Sequence, residues 1–259
     1  MAQKPWIFIA AVIVLSIMGV SAILVSRLSN VAWNGYVAET NFSNPLPQVS
    51  AVNGSWIVPT LYPGFLNRIL KYSWDSKEWV GIGGYDGPTI VQLGTETSYY
   101  GKNGTVVYYA WYEYFNKSAN TTNTINNKKI IRNLTIKPGD IIYASVRCIS
   151  NCSSTPQRWS IYLNDTTRDE SFRNISTFNS VGISADWIVE LEPKLDLASS
   201  LILKRTPSYF GPIYTHIGSD YASINGITAS LGSLNNKKIQ QLPTVSVTNL
   251  ANSTSFAVK

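Results

Sequence analysis

The chain reads as an all-β protein, an antiparallel sandwich or barrel that forms one domain behind a single apolar N-terminal segment. Three observations carry that reading. β-Branched and aromatic residues recur at every second position in about a dozen short segments. Turn residues separate those segments at hairpin distances, and helical periodicity is nearly absent after the first thirty residues. No fixed-period repeat occurs, which argues against a propeller or a solenoid. The 259 residues are 44% hydrophobic, 12% aromatic and 14% charged, a composition that builds a core and excludes disorder or a collagenous fibre.

Residues 6–25 (WIFIAAVIVLSIMGVSAILV) carry no charge and are flanked by Lys4 and Arg27, long enough to cross a bilayer as a helix. Residues 1–28 are therefore expected to be a signal peptide or a signal-anchor transmembrane helix. The small residues Val20-Ser21-Ala22 offer a cleavage site. The β domain is expected over 32–259, with strands at 33–38, 54–59, 78–83, 89–96, 105–115, 130–136, 140–148, 158–163, 180–191, 199–203, 222–227 and 244–248. A closing edge strand is expected at 254–258. Around 64–72 the pattern allows a turn or two of helix. The Asn- and Thr-rich stretch 116–129 reads as a loop between strands, and Lys137-Pro138-Gly139-Asp140 as a tight turn in which proline presets φ and glycine accepts positive φ.

Charge narrows the function. The net charge is +6, from 21 basic against 15 acidic residues, but the basic groups are scattered, so no nucleic-acid partner is expected. Two cysteines and one histidine, His216, give no set of ligands for a structural zinc. Ten Asn-x-Ser/Thr sequons, at Asn41, Asn53, Asn103, Asn116, Asn120, Asn133, Asn151, Asn164, Asn174 and Asn252, point to a glycosylated exterior. Cys148 and Cys152 enclose three residues; an oxidising compartment would let them clip a hairpin, and two free thiols are the alternative. Together these features place the protein outside the cell or at its surface, with a membrane contact through residues 6–25 if that segment is retained.

The common catalytic signatures are missing. There is no G-x-S-x-G elbow, no H-E-x-x-H, no Asp-Thr/Ser-Gly and no phosphate-binding glycine loop, so catalysis would have to run on carboxylates, amides and aromatics. Those groups concentrate in a few blocks: Trp33-Asn34-Gly35-Tyr36-Val37, Glu78-Trp79-Val80-Gly81-Ile82-Gly83-Gly84, Thr89-Ile90-Val91-Gln92-Leu93-Gly94-Thr95, Tyr109-Ala110-Trp111-Tyr112-Glu113 and Ser184-Ala185-Asp186-Trp187-Ile188-Val189-Glu190. In order and spacing this set resembles the glutamic peptidases, the eqolisin family, whose blocks run W-x-G, W-V-G-I-D-G, I-L-Q-x-G, Y-x-W-Y-E and W-I-x-E. The resemblance covers roughly 32–259.

The resemblance implies a lectin- or glucanase-like sandwich of two antiparallel sheets and an acid endopeptidase that acts on protein or peptide substrates. It implies Gln92 and Glu190 as the catalytic pair. Glu190 would be general base on a water and then acid to the leaving amine, and the Gln92 amide would bind the oxyanion. Trp33, Trp79 and Trp111 would wall the substrate cleft, with Glu113 and Asp86 as subsite carboxylates. Strand alternation agrees, because Ile90, Gln92 and Gly94 share one face, as do Trp111 and Glu113. No metal or organic cofactor is implied, and a monomer is expected. One block departs from the family: Gly83 stands where the family has aspartate, with Asp86 three residues on, which puts the substrate preference in question. No long segment separates 6–25 from the first block, so activation by pro-segment removal is not expected. The competing reading is a non-catalytic glycan-binding or cell-surface sandwich. A third is a glycosidase using Glu113 and Glu190.

Overall fold

A computed structural model describes residues 32–64, 69, 71, 73–117, 128–191, 203–218 and 220–259. The apolar stretch 6–25 and most of 64–72 lie outside the described residues. Among the described residues no helix is long and apolar enough to cross a membrane.

Two antiparallel sheets make the body, as expected for a sandwich. The strands in chain order are β1 (Ala32–Glu39), β2 (Val49–Ile57), β3 (Leu61–Pro63), β4 (Trp74–Gly83), β5 (Thr89–Tyr100), β6 (Thr105–Asn116), β7 (Lys129–Ile131), β8 (Ile141–Ser150), β9 (Arg158–Asp165), β10 (Glu170–Thr177), β11 (Ser184–Leu191), β12 (Leu203–Arg205), β13 (Ser208–Phe210), β14 (Tyr221–Ile224), β15 (Ile227–Ser230), β16 (Asn236–Gln240) and β17 (Phe256–Val258). The first sheet has the order β16-β1-β11-β4-β5-β6-β7; the second runs β10-β9-β8-β2-β13-β17, with the β14–β15 hairpin joined to β2. β3 and β12 form a separate pair.

Alternation decides which side chains meet between the sheets. Val80, Ile82, Val91, Leu93, Ala110, Ala185, Trp187 and Val189 of the first sheet pack with Val52, Trp56, Ile142, Ala144, Val146, Trp159, Ile161 and Leu163 of the second. Their intervening neighbours in the first sheet form a second apolar cluster on its outer face, built on Val37, Trp79, Ile90, Trp111, Ile188 and Ile239. The first sheet is thus buried on both faces, which is why β5 is buried along nearly its whole length. β8 and β10, in the other sheet, alternate instead, because one of their faces meets solvent.

Several expected elements differ. Of 130–136 only Ile130 and Ile131 lie in a strand, β7; Leu134 and Ile136 alternate into the core without a ladder partner, so burial alone produced the pattern. The 222–227 segment is a hairpin turning at Asn225-Gly226, both at positive φ, rather than one strand. Residues 244–248 contribute a single bridge, Val247 to Val258, instead of a strand. The 180–191 strand starts at Ser184, after the turn through Gly182. β10 and β16 escape the pattern because they are polar (ESFRNIST, NKKIQ) and lie at sheet edges. Pro212–Thr215 forms one helical turn, α1, which the sequence did not suggest. Cys148 and Cys152 are joined in a disulfide where β8 turns toward β9, with Cα atoms 5.8 Å apart.

Candidate active site

The outer face of the first sheet collects almost every block singled out in the sequence. Across β1, β11, β4, β5 and β6 the register aligns side chains in rows. One row runs Trp33, Glu190, Lys77, Glu96, Tyr109. The next runs Gly35, Ile188, Trp79, Gly94, Trp111, and the third Val37, Asp186, Gly81, Gln92, Glu113. Glu190 and Gln92 therefore lie on one face, on strands separated by β4, with the Trp79 row between their rows.

Tryptophan dictates the glycines of these rows. Trp79 and Trp111 are fully buried, and Gly94 sits between them in register. A Cβ on Gly94 would stand 2.1 Å from the Glu78 carbonyl oxygen and 2.6 Å from the Trp79 Cβ, so only a bare backbone fits there. Trp33 is half-buried and packs edge-on against Trp79, with ring centroids 4.9 Å apart. The three tryptophans form an apolar wall, with Trp33 its accessible member.

Polar groups are fixed around this wall. Gln92 donates from Nε2 to Glu113 Oε2 at 2.8 Å, while its buried Oε1 has no hydrogen-bond partner among the described residues. Glu190 accepts a charge-assisted bond from Lys77 Nζ at 2.6 Å on Oε1, both side chains being 13% exposed. Glu96 is more thoroughly held: Lys128 Nζ lies 2.7 Å from Oε2, and the Tyr109 and Ser98 hydroxyls donate to Oε1. Lys128 also stands over the Tyr109 ring. Burial pushes the Glu113 carboxyl above the usual range; the Gln92 bond opposes this and the Glu190 charge adds to it, so Glu113 sits within electrostatic reach of Glu190. The Tyr109 phenol is pushed up by burial and then by the charge of Glu96.

At the other end of the face, Glu39 and Asp186 are fully buried, and among the described residues neither carboxyl meets a donor at hydrogen-bond distance. Burial, with the Asp86 charge adding and Lys237 opposing, raises Glu39 to about 7. Burial lifts Asp186 well above its ordinary value; the nearby Ser184 hydroxyl opposes this and the neighbouring Glu39 charge adds to it.

Of the sequence-expected site residues, the structure brings together Gln92, Glu190, Glu113, Trp33, Trp79 and Trp111. Asp86 is not among them. It lies exposed in the β4–β5 turn at φ 54, and its charge acts on Glu39 and Lys237. Gly83 at φ 84 holds the start of that turn, where a Cβ would come 2.3 Å from the Thr89 carbonyl oxygen, so an aspartate there is incompatible with this backbone. Sequence reasoning missed Lys77, Glu96, Asp186 and Glu39. The signal was there in the alternation: Lys77 is two residues from Trp79, Glu96 four from Gln92, and Asp186 four from Glu190. Among the described residues no three His, Cys, Asp or Glu side chains are grouped as a metal ion would require.

No curated protein matches the chain in sequence. Among solved structures, scytalido-glutamic peptidase bound to a transition state analog inhibitor superposes with a TM-score of 0.59 at 18% identity, covering 87% of this chain and 97% of that one. SCP-B, a member of the eqolisin family solved in complex with the tripeptide Ala-Ile-His, gives a TM-score of 0.55 at 18% identity, covering 87% of this chain and 96% of that one. At that identity the likeness shows a shared fold. The model of the Peptidase A4 family matches residues 31–213, which span β1 to the start of α1 and include all five blocks. With its tryptophan wall, anchored glutamine and outer-face glutamate in that span, the chain belongs to the Peptidase A4 family, the eqolisins, and is an endopeptidase of the glutamic type.

Proposed function

We propose that this endopeptidase cleaves protein or peptide substrates through Gln92 and Glu190. The observation that carries the reading is the asymmetric anchoring of the two side chains on one face. Gln92 has one N–H committed to Glu113 and its Oε1 unpartnered, while Glu190 has Oε1 committed to Lys77 and accepts no hydrogen bond from the described residues on Oε2. Glu190 Oε2 takes a proton from a water as the water oxygen attacks the scissile carbonyl carbon. The second N–H of Gln92 donates to the oxyanion, and its Oε1 orients the water. Glu190 then passes the proton to the amide nitrogen, the C–N bond breaks, and acid and amine leave with the dyad restored.

The acid working range proposed for the enzyme has physical support in Glu39 and Asp186. Burial raises both, so both favour their protonated forms in acid. Export is part of the same proposal and rests on the apolar stretch 6–25, the sequons and the Cys148–Cys152 bridge. Not every sequon is open to a glycan, since Asn53 lies within β2 and Ser55 is buried with its hydroxyl on Thr215 and the Ile217 carbonyl.

The test is cleavage of a denatured protein from acid to neutral pH by the wild type, Glu190→Gln and Gln92→Ala, with an aspartic-peptidase inhibitor present. Acid cleavage that resists the inhibitor and falls by about a hundredfold or more in both variants, with their thermal unfolding intact, is the expected outcome. Near wild-type turnover by folded Glu190→Gln would end this reading.

A further inference from the structure

Lys77 is a cation on an apolar, carboxylate-bearing face, and neither the family blocks nor the dyad account for it. The register places it directly between two carboxylates, Glu190 of β11 on one side and Glu96 of β5 on the other. Glu96 is already engaged by Lys128, Tyr109 and Ser98. The Lys77 ammonium instead reaches Glu190 Oε1 at 2.6 Å, within the range of the strong charge-assisted bonds. Both side chains are 13% exposed, so water competes weakly for either partner. Trp79, two residues along β4 on the same face and fully buried, fixes the strand that carries the lysine.

A general base needs one oxygen held still and the other open to the water. On a strand, a glutamate has three rotatable side-chain bonds, and little in the Glu190 rotamer itself would restrain them. The row partners of Glu190 are Trp33, which offers an apolar ring, and Lys77, which offers a donor. We infer that Lys77 is a positioning residue for the reaction: its ammonium pins Oε1 of Glu190 and thereby presents Oε2 to the attacking water. The inference rests on Glu190 being the base. Under it, the work of the ion pair is done on the reacting geometry and not on substrate affinity, since Lys77 is engaged with the enzyme's own carboxylate.

The experiment compares peptide cleavage by the wild type, Lys77→Met, Lys77→Arg and Glu190→Gln, with kcat and KM separated and folding checked by thermal unfolding. Methionine keeps the length and apolar stem of the lysine but has no donor, whereas arginine keeps the charge and the donor. The expected result is a kcat for Lys77→Met lowered by about tenfold to a hundredfold with KM within about twofold, as for a base displaced from its productive geometry. Lys77→Arg should recover most of the loss. Folded Lys77→Met with wild-type kcat, or a loss confined to KM, overturns the inference, as does a folded Lys77→Arg no better than Lys77→Met. Glu190→Gln separates the two levels. If it stays active, the dyad reading fails and takes this one with it. If it is inactive while Lys77→Met turns over normally, the dyad stands and only the role of Lys77 is lost.

Discussion

On the proposed mechanism, a single contact from Glu113 sets how Gln92 meets the reacting carbonyl. An amide can present either its oxygen or its nitrogen to the cleft, and the choice is made by the atom it meets on the other side. The carboxylate of Glu113 accepts from Gln92 Nε2 at 2.8 Å, so the amide is held with Oε1 turned away from Glu113. Replacing Glu113 by glutamine removes that preference, because a second amide can donate as well as accept. Glu113→Gln is therefore expected to lower kcat by about tenfold or more with little loss of thermal stability, since a misoriented oxyanion donor costs nearly as much as an absent one. Stopped-time assays of kcat alongside thermal unfolding check this; unchanged kcat would mean that the Gln92 orientation is set elsewhere. The same variant discriminates against a glycosidase reading built on Glu113 and Glu190, which predicts a near-total loss because one of its two essential carboxyls is gone.

At the scale of strands and turns, the family departure at Gly83 becomes a backbone matter. The sequence alone left open whether an acidic subsite had been lost or moved to Asp86. In the fold, Gly83 pairs with Ile90 at the end of β4, adopts φ 84, and faces the Thr89 carbonyl so closely that a Cβ would lie 2.3 Å from it. Gly83→Asp is expected to cost on the order of 2 kcal/mol of stability and to lower activity, measured by urea unfolding and peptide cleavage. A variant at least as stable as the wild type would show that the β4–β5 turn can remodel. What the sequence made legible follows the same logic. The five blocks and the faces of Gln92, Trp111 and Glu113 were readable because two-residue alternation is local. Lys77 and Asp186 were passed over because their partners, Glu190 and Glu39, come from strands more than a hundred residues away in the chain, and antiparallel register is not a local property. β10 and β16 were invisible for a related reason: an edge strand buries little, so its sequence carries no hydrophobic signature.

For the molecule as a whole, 15 carboxylates leave few ion pairs for acid to break. The buried carboxyls take the argument further and fix its sign. Glu39, Glu78, Asp165, Asp186 and Asp220 are all raised, each mainly by burial, with Glu39 at about 7 and Asp165 at about 6. A raised carboxyl keeps its proton in the folded protein after the unfolded chain has released it. Its contribution to stability is thus fully present below about pH 4, the ordinary range, and is lost as pH climbs through the raised value. Folding should accordingly be tighter near pH 4 than near pH 7.5, the reverse of a protein held together by paired carboxylates. The Glu39–Asp186 pair offers a direct check, since both are fully buried on the outer face of the first sheet and neither carboxyl accepts a hydrogen bond among the described residues. Glu39→Gln removes one ionisation and should recover on the order of 1 to 2 kcal/mol at neutral pH, after allowing for solvent screening, while changing little at pH 4. Urea midpoints at the two pH values, for the wild type and this variant, give the answer. A wild type that is more stable at pH 7.5, or a Glu39→Gln variant with an undiminished difference between the two pH values, would show that these carboxyls relax toward water instead of holding their protons. In an enzyme whose dyad is proposed to act in acid, the expected result means that the conditions favouring catalysis are also those in which the buried Glu39 and Asp186 carboxyls keep their protons.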